Sequence, residues 1–434
     1  MTNLTQRDLM PGVQLTAVHT SKFKSSYLGL TLLVPLDRAQ VSANALVPAV
    51  LRQGTERYPN MEALSAALDE LCGGSIEPMV RKKGETQCLG FVASFLDDAY
   101  SPDGSPILEP AAALLGELLL HPATENGGFR REYVERERAN LEDKIGAQLS
   151  DKRQYALLRL IETMCRGEAY GIDRLGRAEE VAALTGEALW ARYQDLLATA
   201  QVELYYCGSA DFGRVEAAMG AALKGLPRAE DQVMPDCEVR GNRDRDQPYF
   251  YEDKLDVTQG KLTMGFRTDG ACIWSDDYPA LMLLSAIFGG TTTSKLFLNV
   301  RERLSLCYYA SAQLEKLKGL LLVSSGVEFD KRQQAQDEIL AQLEACKRGE
   351  FEPWELEAAR RSTISSLATL TDSQGRQEDY WLGLAVAGLN ETPEALAARL
   401  ETVTAEQVAA VAKRLELDTV YFLNGKEAAS DGEA

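Results

Sequence analysis

The stretch NMEALSAALDELCGGSIEPMVRKKGETQCLGFVA, residues 60–93, spells out a helix, a stop and a hairpin in one run. Asn60 suits the position before a helix, where its side chain can accept an otherwise unpaired backbone N–H. Met61, Leu64, Leu68 and Leu71 then recur at i, i+3, i+7 and i+10, which marks one apolar helical face. Gly73 stops it. Two short runs, 75–80 and 86–93, flank a Lys83-Gly84 turn and read as paired strands.

The same order recurs further along. In the first half a strand at 27–34, closed by Pro35, and an apolar segment at 45–51 precede the quoted stretch. In the second half a strand at 261–266 leads to an apolar helix at 280–288 that ends on Gly289 and Gly290. Residues 294–303 place Leu296, Val300 and Leu304 at helical spacing, and strands at 307–314 and 320–327 flank a Lys318-Gly319 turn. Both halves continue into helical stretches rich in Ala, Leu, Glu and Arg, at 107–120, 128–148 and 154–166, then at 332–347, 352–371 and 379–387. Each half closes on a short apolar strand, 201–208 and 419–423. The repeat predicts an α+β fold of two related halves, each a mostly antiparallel sheet covered on one face by helices. The expected division is an N-terminal domain over 1–225, a polar linker over 226–247 and a C-terminal domain over 248–434, with a small acidic tail at 424–434.

Composition narrows the function. Of 434 residues, 46 are Lys or Arg and 65 are Asp or Glu, a formal charge of −19 that disfavours nucleic acid and anionic membrane surfaces. No apolar run approaches a membrane span, and residues 1–12 lack the pattern of a signal peptide. The eight cysteines show no CxxC spacing, which suits buried thiols in a reducing cytoplasm. There are two histidines, His19 and His121, too far apart in sequence for a helical zinc pair. His19 reads as a strand residue and His121 as a helix end. The acidic face of Glu135, Glu137, Glu142 and Asp143 is interleaved with Arg136, Arg138 and Lys144, as on a solvated, ion-paired helix.

With the segments 45–55, ALVPAVLRQGT, and 289–308, GGTTTSKLFLNVRERLSLCY, the chain resembles the pitrilysin/insulinase-type zinc metallopeptidases, with a fold like that of the mitochondrial processing peptidase. That family binds zinc through an inverted His-x-x-Glu-His helix and a downstream Glu. The segment 45–55, ALVPAVLRQGT, resembles the zinc helix, with Ala45 and Ala49 at the His positions and Pro48 at the general-base position. The segment 134–145 resembles the third-ligand helix and places Lys144 there, with Glu142 and Asp143 one slip away. Ala and Pro offer no lone pair and an ammonium repels Zn²⁺, so no metal site is expected. Pro48 is expected to kink the segment or to begin its helix.

The second half matches the family far better. Residues 289–308, GGTTTSKLFLNVRERLSLCY, resemble the family's glycine turn at Gly289 and Gly290, its Ser-Lys-Leu-Phe helix and its Arg-Glu-x-x-x-Leu-x-Tyr motif. By that resemblance Arg301 and Tyr308 would bind substrate carbonyls and stabilise a tetrahedral intermediate opposite a metal. Both are hydrogen-bond donors, as a developing oxyanion requires. The resemblance is closest to zinc-lacking bacterial subunits, one branch of which carries the label elongation factor P 5-aminopentanol modification-associated protein. It implies an inactive chain that binds no cofactor, paired as a heterodimer with a zinc-bearing pitrilysin-type subunit and handling short unfolded peptides. The chain's state without that partner, homodimer included, is left open. The alternative is a peptide-binding or scaffold protein with no peptidase partner.

Overall fold

In the computed structural model, which describes residues 3–426, the hairpin and helix of the opening stretch form as expected. The Asn60 side chain accepts the Ala63 N–H at 2.9 Å. Along the chain come strands β1 (Asn3–Met10), β2 (Val13–His19) and β3 (Ser25–Pro35), helices α1 (Val41–Leu51) and α2 (Met61–Glu70), and the hairpin β4 (Ser75–Lys83) and β5 (Thr86–Leu96). Helix α3 (Leu108–Leu120), a small hairpin β6 (Thr124–Glu125) and β7 (Gly128–Phe129), and helices α4 (Arg131–Ala147), α5 (Lys152–Met164), α6 (Ala178–Ala183) and α7 (Gly186–Thr199) follow. Strand β8 (Gln201–Gly208) and α8 (Phe212–Ala222) close the first half. The second half has β9 (Tyr249–Leu255), β10 (Gly260–Arg267), α9 (Tyr278–Ser285), β11 (Cys307–Glu315) and β12 (Leu320–Val327). Helices α10 (Arg332–Lys347), α11 (Pro353–Ala368), α12 (Gln374–Ala387), α13 (Pro393–Glu401) and α14 (Ala405–Lys413) precede the last strand, β13 (Glu416–Gly425). The tail beyond 426 lies outside the described residues.

The duplication is exact at the level of strand order. From its hairpin edge the first sheet runs β4-β5-β3-β8-β2, with β1 added, and the second runs β11-β12-β10-β13-β9. All neighbours are antiparallel except one pair in each sheet, β2 with β8 and β9 with β13. Strands β1 and β9 were not anticipated; both lie at the edge of their sheet.

Alternation along the central strands separates two faces. In β3, Leu28, Leu30, Leu32 and Val34 point into a core shared with α1, α3, α7 and α8, the expected helical layer. Leu33, on the other face, packs with Cys88 and with Leu382 of α12. In the second sheet Phe266 meets Phe288 edge-on. On the opposite face Leu320, Leu322, Tyr421 and Leu423 pack against Ala156, Leu160 and Met164 of α5. Each sheet thus carries one further helix on its second face. The two compact units therefore exchange segments: residues 147–171 belong with 237–370 and 390–434, and residues 371–389 with 1–146 and 172–236.

Salt bridges secure both additions. Arg81 on β4 binds the buried Glu378 of α12 at 2.5 Å. In the other unit the buried Arg267 binds Glu168 and Asp418, each at 2.6 Å. Lys318, in the turn between β11 and β12, is wholly buried and lies 3.0 Å from Glu168. Helix α1 begins at Val41 and carries Pro48 inside it, so of the two expectations for Pro48, a kink or a helix start, the start is excluded. Among the described residues no helix is long and apolar enough to cross a membrane.

Glu203, on the central strand β8, is buried, and burial raises its pKa to about 8, with a smaller push from Asp8 against the Gln201 hydrogen bond. An unfolded Glu titrates near ~4.3, so between that pH and about 8 the folded chain holds a proton that the unfolded chain has released. Stability should therefore fall as pH rises through this window. Glu203→Gln should raise the melting temperature at pH 9, by roughly 2–4 °C per kcal/mol relieved, and leave it nearly unchanged at pH 4. Melting curves across pH check this.

Candidate functional site

The segment resembling a zinc helix cannot ligate a metal. Ala45 and Pro48 are buried in α1, Ala49 is half-buried, and Lys144 is exposed in the last turn of α4. Among the described residues no group of three or more His, Cys, Asp or Glu side chains is placed to hold an ion. The donor set does not fit zinc, since methyl groups, a proline ring and an ammonium provide no ligand.

Amide chemistry fixes α1 instead. The buried Asn44 donates to Gln87 Oε1 at 2.8 Å and accepts from Arg192 Nε at 2.6 Å. Gln87 Nε2 in turn donates to the carbonyls of Val41 at 3.0 Å and Arg174 at 2.7 Å. This closed network ties the helix to β5 with its polar atoms satisfied. On α4, Glu137 is buried and accepts from Gln53 at 2.7 Å and Asn140 at 3.0 Å, while Arg131 pairs with Glu135 at 2.6 Å. The acidic face is largely absorbed by such partners.

Neither histidine has a catalytic setting. His19 Nδ1 lies 3.1 Å from the Ala210 carbonyl. His121 caps α3, and its carbonyl accepts the Glu56 N–H at 2.8 Å. None of the eight cysteines forms a disulfide; Cys72 is exposed, Cys237 half-buried and the rest buried.

The Arg-Tyr motif is built by unusual backbone. After α9 the chain widens into a π-helical segment with i→i+5 hydrogen bonding, Ala286–Gly290, and again over Leu296–Arg303. Such wide turns recur at functional sites. Gly289 is needed because a Cβ there would stand 2.6 Å from the Ala312 backbone nitrogen. Ser294 and Lys295 are buried, and Lys295 pairs with Glu355 at 3.2 Å, so this part of the motif is structural. Arg301 stacks over the Phe297 ring at 4.7 Å and places Nε 3.4 Å from Glu302. The stack limits its rotamers while leaving the side chain 42% exposed.

Ser305, at φ +48°, reverses the chain into β11. The strand register then slips: Cys307 faces Val327 and Tyr309 faces Gly326, so Tyr308 is an extra, unpaired residue. This bulge on an edge strand turns Tyr308 outward, 63% exposed. Arg301 and Tyr308 thus flank one short turn and neither is sunk in the core. Between them Cys307 is buried, and burial pushes its thiol up, which makes it a poor nucleophile. Nothing in the residue pattern around Tyr308 signalled the bulge, because it exists only in the pairing with β12.

Gly289→Ala should destabilise the chain by about 1–3 kcal/mol, the usual cost of forcing extra atoms into packed structure. Gly290→Ala should cost less, since its nearest obstacle is the Ser285 carbonyl at 3.1 Å. Urea denaturation of the two variants would show the order.

Residues 183–363 match the model of the peptidase M16 inactive domain. The chain is 35% identical to the probable inactive metalloprotease YmfF of Bacillus subtilis over 96% of its own length and 97% of that protein's. It is 25% identical to an uncharacterized zinc protease of the same organism, YmxG, over 39% of this chain and 43% of that one. Among solved structures it superposes on a conserved protein from Enterococcus faecalis with a TM-score of 0.88 at 28% identity, covering 99% and 100% of the two chains. The fold also matches a peptidase M16 inactive domain from Pseudomonas fluorescens, with a TM-score of 0.79 at 16% identity over 98% of this chain and 99% of that one. With its metal ligands replaced and its overall likeness to an inactive relative, the chain belongs to the peptidase M16 family, the pitrilysin and insulinase type, as a non-catalytic member.

Proposed function

We propose that this chain is the zinc-lacking subunit of a heterodimeric zinc peptidase, lending Arg301 and Tyr308 to a His-x-x-Glu-His partner that carries the metal. The observation behind this reading is the contrast between two regions of one chain. The positions that would hold zinc are aliphatic, cyclic or cationic, whereas the two hydrogen-bond donors stay exposed at one turn. A guanidinium and a phenol suit the oxyanion that forms when a metal-bound water attacks a peptide carbonyl. Tyr308 lies on β11, an edge strand whose outer side faces no other strand of its sheet. A short unfolded peptide can add there through backbone hydrogen bonds, with little demand on its side chains. Eight cysteines without a disulfide among them favour a cytoplasmic setting.

Alone, the chain should bind no stoichiometric zinc and cleave no peptide; mixed with its catalytic partner it should support turnover. In the pair, Arg301→Ala and Tyr308→Phe should each lower kcat by about 10²–10³, the usual effect of deleting one oxyanion donor, without dissociating the subunits. Peptide turnover and gel filtration of the mixed proteins test this. Full activity in both variants removes the assigned roles, and native co-purification that never yields a zinc-bearing M16 protein favours a peptide-binding scaffold.

A further inference from the structure

The two sheets differ at one edge. In the first, β1 runs antiparallel along the outer side of β2, which is itself parallel to β8. In the second, β9 is parallel to β13 in the same way, yet among the described residues no strand lies on its outer side. Tyr249, Phe250, Glu252 and Lys254 of β9 are all exposed.

A bare strand edge invites pairing, and proteins blunt it with bulges or prolines. The other edges of the two sheets are interrupted in these ways. The register of β1 and of β11 is broken by a shift, and β4 contains Pro78, which has no N–H to donate. Strand β9 has neither: its register with β13 is unbroken along YFYEDKL, residues 249–255. The Leu255 carbonyl accepts the Lys426 N–H at 2.9 Å, so Leu255 turns its backbone groups toward β13. Successive residues of a strand turn theirs to opposite sides. Tyr251 and Asp253 therefore also face β13, whereas Phe250, Glu252 and Lys254 offer theirs outward.

We infer that the outer edge of β9 pairs antiparallel with β9 of a second copy of this chain, about a two-fold axis at Asp253. That register sets Glu252 of each copy opposite Lys254 of the other, as hydrogen-bonded pairs of opposite charge. Moving the axis by one residue, to Glu252 or to Lys254, sets two like charges directly opposite, so charge selects one register. Asp253 meets its counterpart across the axis, but its carboxylate is already held by Arg159 Nε at 3.0 Å and by the Tyr421 hydroxyl at 2.9 Å. On that face Tyr251 comes opposite Leu255 of the other copy and extends the stacked row of Tyr249, Tyr251 and Tyr421. Such a pairing is self-complementary and closes at two copies. Strands β9 and β11 lie at opposite ends of the sheet, so it leaves Tyr308 open and goes beyond the peptidase reading without resting on it.

The experiment uses the full chain alone, in sedimentation velocity across a concentration series. The native chain should show a reversible monomer–dimer equilibrium. Glu252→Lys and Lys254→Glu should each weaken it at least about tenfold, equivalent to ~1.4 kcal/mol, because each sets like charges opposite one another at both pairs. An equimolar mixture of the two variants should recover the native affinity, since every opposing pair is again one acid and one base. The double exchange in a single chain should recover it too; melting curves verify that each variant is folded. A native chain that stays monomeric throughout, single variants that dimerise as well as the native chain, or a mixture no tighter than its components overturns the inference.

Discussion

The buried guanidinium of Arg267 is the interaction on which the second unit depends. It is 1% exposed, so its charge has to be matched inside the protein. Nε binds Asp418 on β13, while Nη2 binds Glu168 and the Met164 carbonyl at the end of α5. Nη1 reaches the Arg240 carbonyl at 3.2 Å. Burial alone would raise the Glu168 carboxyl, but Arg267 and Lys318 hold it below its ordinary value. One side chain thus gathers a strand, a helix end and the connecting segment at a single point. Removing one member of such a set leaves another charge unmatched, which is far more costly than losing a surface pair.

That clamp matters because it holds α5 on the second face of the sheet. Without the helix, Leu320, Leu322, Tyr421 and Leu423 would face water. With it, the central strands are buried on both sides, and the edge strand β11 keeps its register against β12. The bulge that presents Tyr308 derives from that register. Site geometry and helix exchange are therefore linked through one strand pair.

Much of the fold was legible because periodicity follows from local geometry. The Asn60 cap, the hairpin turns and strand β12 all agree with residue patterns. The loss of metal ligands was equally legible, since Ala45, Pro48, Ala49 and Lys144 cannot coordinate in any conformation. Pro48 left two readings open, a kink or a helix start; the start is excluded because the helix runs through it, with the Arg52 N–H bonding back to the Pro48 carbonyl. The Lys318-Gly319 turn formed where the pattern put it, but the burial of Lys318 against Glu168 depends on a partner distant in sequence.

Residue order alone determined the duplicated α+β design, the absence of a nucleophile with a base, and the survival of Arg301 and Tyr308. These depend on residue type and short spacing, which local physics constrains. Tertiary structure alone decided which helix covers which sheet, where the extra residue in β11 falls, and that Arg153 of α5 meets Tyr309. Those outcomes arise from pairings between separate elements, from the neighbouring strands β11 and β12 to Arg153 and Ser311, 158 positions apart. No local pattern encodes a partner at that distance; it is selected by which arrangement buries the apolar faces and leaves the fewest charges unmatched.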